Sequence, residues 1–291
     1  MMRLLLFALL LVLLKPAAAE AAVACEPRSD GIDFGTTVGS EENAVGAVTI
    51  HCIGSGRADY ILTLSQGGSG TYNQRTMVNG ANILLYNLYA NPAHTQIIGD
   101  GNGGSITVSG EIDMGNATVR TVVVSLYGKI PAQSFLRAGT YTDTIVASLI
   151  VGINITTTSF PVTALVLPNC TIFATNLAFG DYSGARLDAK SQIELTCTNE
   201  LPWNVGLDAG TTRGATVTTR RMTGPRNSSI AYSLYRDPAR TLNWGNTVGA
   251  DTLAGSGTGV VQVIDVYGQV PPGQVADVGG YQDTIVATVT F

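Results

Sequence analysis

The chain has 291 residues, of which 45% are hydrophobic and only 13% charged, and its formal net charge is −5. That length allows about two domains, and the acidic balance excludes the basic footprint of a nucleic-acid-binding protein. Its 34 Gly, with frequent Thr, Val, Ser and Asn, suit many short strands joined by turns.

Residues 1–24 read as a secretory signal. Arg3 supplies a positive start, Leu4 opens an apolar run that ends at Leu14, and Lys15-Pro16 breaks it. Both Ala17-Ala18-Ala19 and Ala22-Val23-Ala24 fit an Ala-x-Ala cleavage site. The run falls short of the ~18 apolar residues of a membrane span, so the expectation is a soluble chain exported through the periplasm. Ala-Val-Ala-Cys at 22–25 loosely resembles a lipobox, but the repeat described next gives Cys25 a structural role.

The four cysteines are Cys25, Cys52, Cys170 and Cys197, and 27 positions separate the members of each pair. An even count at matched spacing in an exported chain implies disulfides, and the repeat selects Cys25–Cys52 and Cys170–Cys197. The two halves agree elsewhere as well. Phe34-Gly35 matches Phe179-Gly180. Tyr86-Asn87-Leu88-Tyr89-Ala90-Asn91-Pro92 matches Tyr232-Ser233-Leu234-Tyr235-Arg236-Asp237-Pro238, and Tyr127-Gly128-Lys129-Ile130-Pro131 matches Tyr267-Gly268-Gln269-Val270-Pro271. Asp143-Thr144-Ile145-Val146-Ala147 matches Asp283-Thr284-Ile285-Val286-Ala287. The chain is therefore a duplication with expected domains at 25–167 and 168–291. Each copy shows about six strand-like runs between turn residues, and no long segment has a helical period. This predicts an all-β protein of two tandem immunoglobulin-like β-sandwich domains.

The copies end differently. Residues 160–167 carry Phe160, Val162, Ala164 and Val166 in alternation, the period of a strand with one buried face. They are expected to return to the first domain as its final, self-completing strand. In the second copy Ile285, Ala287, Val289 and Phe291 alternate in the same way, and the sequence then stops. The second domain is thus expected to lack its final strand and to keep an open edge, an aggregation hazard unless a partner chain donates a strand.

The combination of Cys, Phe-Gly, a strand ending in Cys, Leu-Tyr-x-Asx-Pro, Tyr-Gly-x-Ile/Val-Pro and a terminal Tyr-x-Asp-Thr strand resembles the spore coat protein U domain. That is the subunit domain of archaic (Csu-type) chaperone–usher pili. The resemblance covers both halves and implies an incomplete immunoglobulin-like pilin. A periplasmic chaperone would cap it, an outer-membrane usher would export it, and an adjacent subunit would complete it. It further implies that Ile285, Ala287, Val289 and Phe291 form the strand offered to the chaperone or donor. A donor segment ahead of Cys25 is missing from the expected mature chain, which points to a tip adhesin at the cell surface, active in attachment and biofilm formation.

Adhesive residues are expected on loops of the first domain, with Ile97, Ile98, Phe135 and Leu136 as candidate apolar tips against an abiotic or host surface. Arg213, Arg220, Arg221 and Arg226 read as a solvated basic face. Enzyme signals are poor. His51 and His94 are the two histidines, both Cys pairs are committed, and the Gly-rich stretch at 99–104 lacks the strand–helix context of a phosphate cradle. No cofactor, metal or nucleic-acid partner is expected. The rival readings are a structural spore-coat or extracellular-layer protein and a secreted carbohydrate-binding module.

Overall fold

The protein, seen here in a computed structural model, is described over residues 23–291. The expected leader lies outside the described residues except for Val23 and Ala24. The first half forms ten strands: β1 (Ala24–Arg28), β2 (Ile32–Thr37), β3 (Glu42–Ile53), β4 (Arg57–Leu64), β5 (Arg75–Asn79), β6 (Asn82–Tyr89), β7 (Val108–Asp113), β8 (Val119–Ile130), β9 (Gly139–Val151) and β10 (Asn154–Val166). The second forms eight: β11 (Cys170–Ala174), β12 (Leu187–Cys197), β13 (Pro202–Leu207), β14 (Arg220–Thr223), β15 (Ser229–Tyr235), β16 (Leu253–Ser256), β17 (Gln262–Val270) and β18 (Ala287–Thr290). The sequence suggested about six per copy. The surplus is short strands such as β5, β14 and β16, whose alternation is too brief to read without their partners.

Two separate hydrophobic cores form, one from Val23 to Val166 and one built mainly on Ile193, Leu195, Val205, Leu234, Trp244 and Val266. In the first domain the ladder order is β1-β3-β8-β6-β5-β9-β10-β2, with β4 joining β7 to β9. In the second, β11-β12-β17-β15-β14 faces the smaller sheet β16-β13-β18. The repeat maps β11 onto β1, β12 onto β3, β17 onto β8 and β18 onto β9. It leaves β2 and β10 without counterparts.

Both disulfides link directly opposed residues: Cys25 faces Cys52 across β1 and β3, and Cys170 faces Cys197 across β11 and β12. Crosslinks closing loops of this size stabilise by roughly 3–4 kcal/mol on the chain-entropy model.

Only three residues join β10 to β11, and they are held at both ends. Leu167 N–H donates to Thr37 O at 2.9 Å, and Thr198 N–H donates to Asn169 O at 2.9 Å. Asn199 N–H also donates to Leu136 O at 3.0 Å, and Arg137 pairs with Glu200 at 2.9 Å.

Candidate functional site

The first domain shows what a closed edge looks like. β10 runs antiparallel to β9 along all thirteen of its residues and parallel to β2 on its other side. Its inward side chains Phe160, Val162, Ala164 and Val166 are at most 1% exposed. Under them Tyr141, Ile145, Ala147 and Leu149 on β9 are fully buried.

In the second domain the matching segments flank a groove of ≈ 520 Å³. One wall is 174–179, with Leu177 and Phe179, and the other is 281–287. Ile193, Leu234 and Val266 lie beneath. The segment at 177–180 aligns with β2 yet forms no ladder, because β2 is a strand only through its pairing with β10. Likewise β9 spans thirteen residues, whereas β18 spans four. Tyr281, Ile285, Ala287 and Val289 keep the in–out alternation but are only half-buried, and Phe291 is 54% exposed. Ala287 and Val289 pair with Leu207 and Val205 of β13, so the opposite backbone edge of this segment faces the groove.

What holds the frayed segment in place is a polar cluster present in both domains. Tyr232 Oη–H donates to Asp283 Oδ2 at 2.8 Å, as Tyr86 Oη–H does to Asp143 Oδ2 at 2.6 Å. Asp283 Oδ1 also accepts from Thr211 N–H at 2.9 Å, and Val286 N–H donates to Asp208 Oδ1 at 3.0 Å. Asp143, inside β9, and Asp283, ahead of β18, are thus structural anchors. Burial, reinforced by the aspartate hydrogen bond, pushes both tyrosine hydroxyls well above the usual phenol range.

Behind each tyrosine lies a fully buried arginine. Arg75 donates to Ser65 O, Ile98 O and Asn87 Oδ1, and Arg220 donates to the carbonyls of Leu207, Asp208, Val217 and Trp244. Burial lowers the pKa of both guanidiniums. Placing Arg220 on a solvated basic face was therefore wrong: its 0% exposure puts it in the interior, where backbone carbonyls replace water. The signal was available, since Arg75-Thr76-Met77 aligns with Arg220-Arg221-Met222 at the offset that relates Cys25 to Cys170.

The expected adhesive tips also need correction. Ile98 is 0% exposed and Leu136 8%, because each points into the first core. Ile97 is half-buried in a folded-back loop, where it lies opposite Tyr89 and its carbonyl accepts the Ile106 N–H at 2.8 Å. Phe135 is 65% exposed, but its backbone abuts Gly259 of the second domain, where an added Cβ would meet Phe135 N at 2.5 Å. The pair 135–136 thus belongs to the junction between domains. Exposed apolar residues lie in several places on the first domain, Val45 at 70% and Val123 at 62% among them, and some lie at the other end of β10. There Ile153 in the β9–β10 turn is 98% exposed, Ile155 66%, and the directly paired Ile53 and Val119 52% and 51%. Thr156 Oγ1–H donates to Cys25 O at 3.0 Å and ties this hairpin to the β1 end.

Elsewhere, His94 packs edge-on to Tyr89 with ring centroids 5.1 Å apart. The Gly-rich loop closes on itself, with Asn102 N–H donating to Asp100 Oδ1 at 2.9 Å and Ser105 Oγ–H donating to Asn102 O at 2.7 Å. Among the described residues no group of three His, Cys, Asp or Glu side chains is arranged to hold a metal ion.

The duplicated unit is matched as such by comparison with known proteins. The profile of the Spore Coat Protein U domain fits the chain twice, over residues 11–148 and 156–288. The chain belongs to the Spore Coat Protein U domain family. Protein U of Myxococcus xanthus is 39% identical to it over 101 residues, which cover 34% of this chain and 56% of that protein. The chain thus spans little more than half the length of that relative. Among solved structures, one chain of the CsuC–CsuE chaperone–tip adhesion subunit pre-assembly complex from the archaic chaperone–usher Csu pili of Acinetobacter baumannii superposes with a TM-score of 0.55. The match is 15% identical and covers 92% of this chain and all of the other. The CooA pilin subunit of enterotoxigenic Escherichia coli matches at a TM-score of 0.33, with 12% identity, 49% of this chain and 97% of the other. The shared architecture is that of two immunoglobulin-like Spore Coat Protein U domains.

Proposed function

We propose that this protein is the tip subunit and adhesin of an archaic chaperone–usher pilus. The carrying observation is the unequal treatment of one groove: β10 fills it in the first domain, and no strand among the described residues fills it in the second. A domain that closes its own sheet needs no partner, whereas an open apolar groove beside an unpaired backbone edge calls for an added strand. In this reading a periplasmic chaperone supplies that strand first, and an adjacent subunit replaces it after export by the outer-membrane usher.

β10 serves as an internal template for the donor. By the repeat, Phe160 lies opposite the twin of Ile285, Val162 opposite that of Asp283 and Ala164 opposite that of Tyr281. The donor therefore runs antiparallel to residues 281–287 and carries a large, a β-branched and a small side chain at alternate positions.

Attachment to surfaces and biofilm formation are assigned to the pole carrying Ile53, Val119, Ile153 and Ile155. β10 separates this pole from the second domain by ~40 Å. Exposed apolar side chains grouped at one end of a domain mark an interaction site rather than a solvated tip. Ile153→Ser with Ile155→Ser should reduce attachment to plastic while leaving export intact, and unchanged attachment removes this pole from the proposal.

The deciding experiment produces the two halves separately in the periplasm without a chaperone. The proposal expects residues 25–167 to accumulate as a folded monomer. It expects residues 168–291 to aggregate or be degraded unless a chaperone or a peptide with the sequence of residues 159–167 is supplied. If both halves unfold cooperatively on their own, the groove is closed by other means. The protein is then better read as a structural layer protein, the reading that the Spore Coat description of its family favours.

A further inference from the structure

We infer that the loop at 271–280, after β17, is a second docking site for the subunit that donates the strand, and that it receives the disulfide-bonded end of that subunit's domain. The inference rests on the pilus reading above. Its template is the junction between the two domains of this chain.

The loop at 131–138, between β8 and β9, and the loop at 271–280 are pinned in the same way. Gln133 Nε2–H donates to Leu85 O at 2.9 Å while its Oε1 accepts the Leu85 N–H at 2.8 Å. Gln274 does the same with Ala231, at 2.9 Å and 2.7 Å. Further on, Tyr141 Oη–H donates to Arg137 O at 2.9 Å, and Tyr281 Oη–H donates to Asp277 O at 3.1 Å. An amide side chain that satisfies both backbone groups of one residue fixes the start of each loop, and the tyrosine fixes its end. Phe135-Leu136 and Val275-Ala276, just ahead of Arg137 and Asp277, therefore occupy the same place in the two domains.

In the first domain this place is a docking contact. Leu136 O accepts the Asn199 N–H at 3.0 Å, Arg137 pairs with Glu200 at 2.9 Å, and the Phe135 backbone abuts Gly259. Asn199 and Glu200 belong to the turn that follows Cys197, and Gly259 to the loop between β16 and β17. β10 leads the chain to this contact. Val166 lies opposite Gly139, at the end of the loop, and the next domain begins at Cys170. The strand that fills a groove thus delivers the disulfide end of the following domain onto the loop beside that groove.

In the second domain the same loop is bare. Val275 is 97% exposed and Val278 100%, and among the described residues no hydrogen bond reaches the Ala276 carbonyl. A donor strand running as β10 runs would leave the groove opposite Gly279, the twin of Gly139, and carry its own domain onto Val275 and Val278. The charge is reversed between the two loops. Asp277 stands where Arg137 stands, and its partner within the chain is Arg226 at 3.7 Å. The matching surface is therefore apolar, offers a backbone N–H to Ala276 O, and carries a basic side chain at the place of Glu200.

The test compares the full chain with its Val275→Ser, Val278→Ser form in cells that make the pilus but lack the native copy. Retention on sheared surface fibres and co-purification with the periplasmic chaperone are measured side by side. Loss of the two buried valines should lower retention by about tenfold. Chaperone co-purification should stay unchanged, since the groove is untouched. Asp277→Lys should lower retention to a smaller extent. Unchanged retention of the double variant overturns the inference and leaves the donor-strand reading standing. A matching loss of chaperone co-purification assigns the loop to the chaperone and overturns it too. If the unaltered chain does not join fibres, the pilus reading falls and takes the inference with it. Should the double variant no longer bind a peptide with the sequence of residues 159–167, its groove is damaged and Asp277→Lys decides: retention equal to that of the unaltered chain overturns the inference.

Discussion

The two domains start from nearly the same sequence at their last shared strand and reach different structures. Residues 143–147 and 283–287 differ at no position, yet the first stretch lies inside a thirteen-residue strand and the second is ladder-paired only at Ala287. Ile145 and Ala147 are fully buried, while Ile285 and Ala287 remain half-exposed. The difference comes from outside the stretch. In the first domain β10 supplies a hydrogen-bonding edge and a row of apolar side chains, and in the second no described segment does. Strand propensity is a weak instruction until a neighbouring edge completes it.

That comparison can be broken or sharpened in several ways. The largest effect is expected from emptying the self-completing strand. Phe160→Ala should cost the first domain ~3–5 kcal/mol, whereas Phe291→Ala, at a half-exposed position, should change stability by less than ~0.5 kcal/mol. Chemical denaturation of the full chain with probes on each domain reads both, and equal losses would erase the distinction between the two edges.

The buried arginines provide a control on which the domains should agree. Arg220→Met removes the donor to four carbonyl oxygens, and Arg75→Met removes the donor to the Ser65 and Ile98 carbonyls and to the Asn87 amide oxygen, the last of which still accepts the Leu88 N–H. Each substitution should destabilise its own domain by ~3 kcal/mol. A loss confined to one domain would show that the interiors differ as well as the edges.

Binding of a peptide carrying the sequence of residues 159–167 should stabilise the second domain by about 2.7 kcal/mol at a hundredfold excess over its Kd and leave the first unmoved. Scanning calorimetry with and without the peptide checks it, and stabilisation of both domains would mean that β10 exchanges out of its own groove.

Smaller losses are expected at the anchors: Tyr86→Phe and Tyr232→Phe each remove one hydrogen bond to an aspartate and should cost ~1–2 kcal/mol. With its edge uncovered, the second domain should also show faster amide exchange at 281–286 in the Tyr232 variant.

The smallest effect is at acid pH. The ion pair with Lys190, at 2.8 Å, holds the Asp265 carboxyl below its ordinary range. A carboxylate depressed in the folded state stabilises fully above its unfolded pKa, near 4, and loses that contribution as pH falls through the lower folded value. Asp265→Asn should therefore flatten the acid limb of the second domain's melting curve slightly, because the pair lies at the surface.

Much of this architecture was legible in the sequence. Cysteine spacing and the repeat fixed two equivalent disulfide-bonded units, because a crosslink joins residues that must be neighbours. Alternation at 160–166 and 285–291 identified the faces of two strands, because successive side chains point to opposite sides of a sheet. Periodicity says which side chains share a face but not what covers that face. Coverage is the sum of contacts from distant segments, and only the tertiary structure assembles them. It put Ile98 and Leu136 inside, where short apolar pairs next to Gly and Pro read as tips, and it drew Arg75 and Arg220 into rings of carbonyl groups no local pattern announces. It also left Ile53, Val119, Ile153 and Ile155 exposed, residues scattered in sequence, of which Ile53 and Val119 lie opposite each other only because β3 pairs with β8.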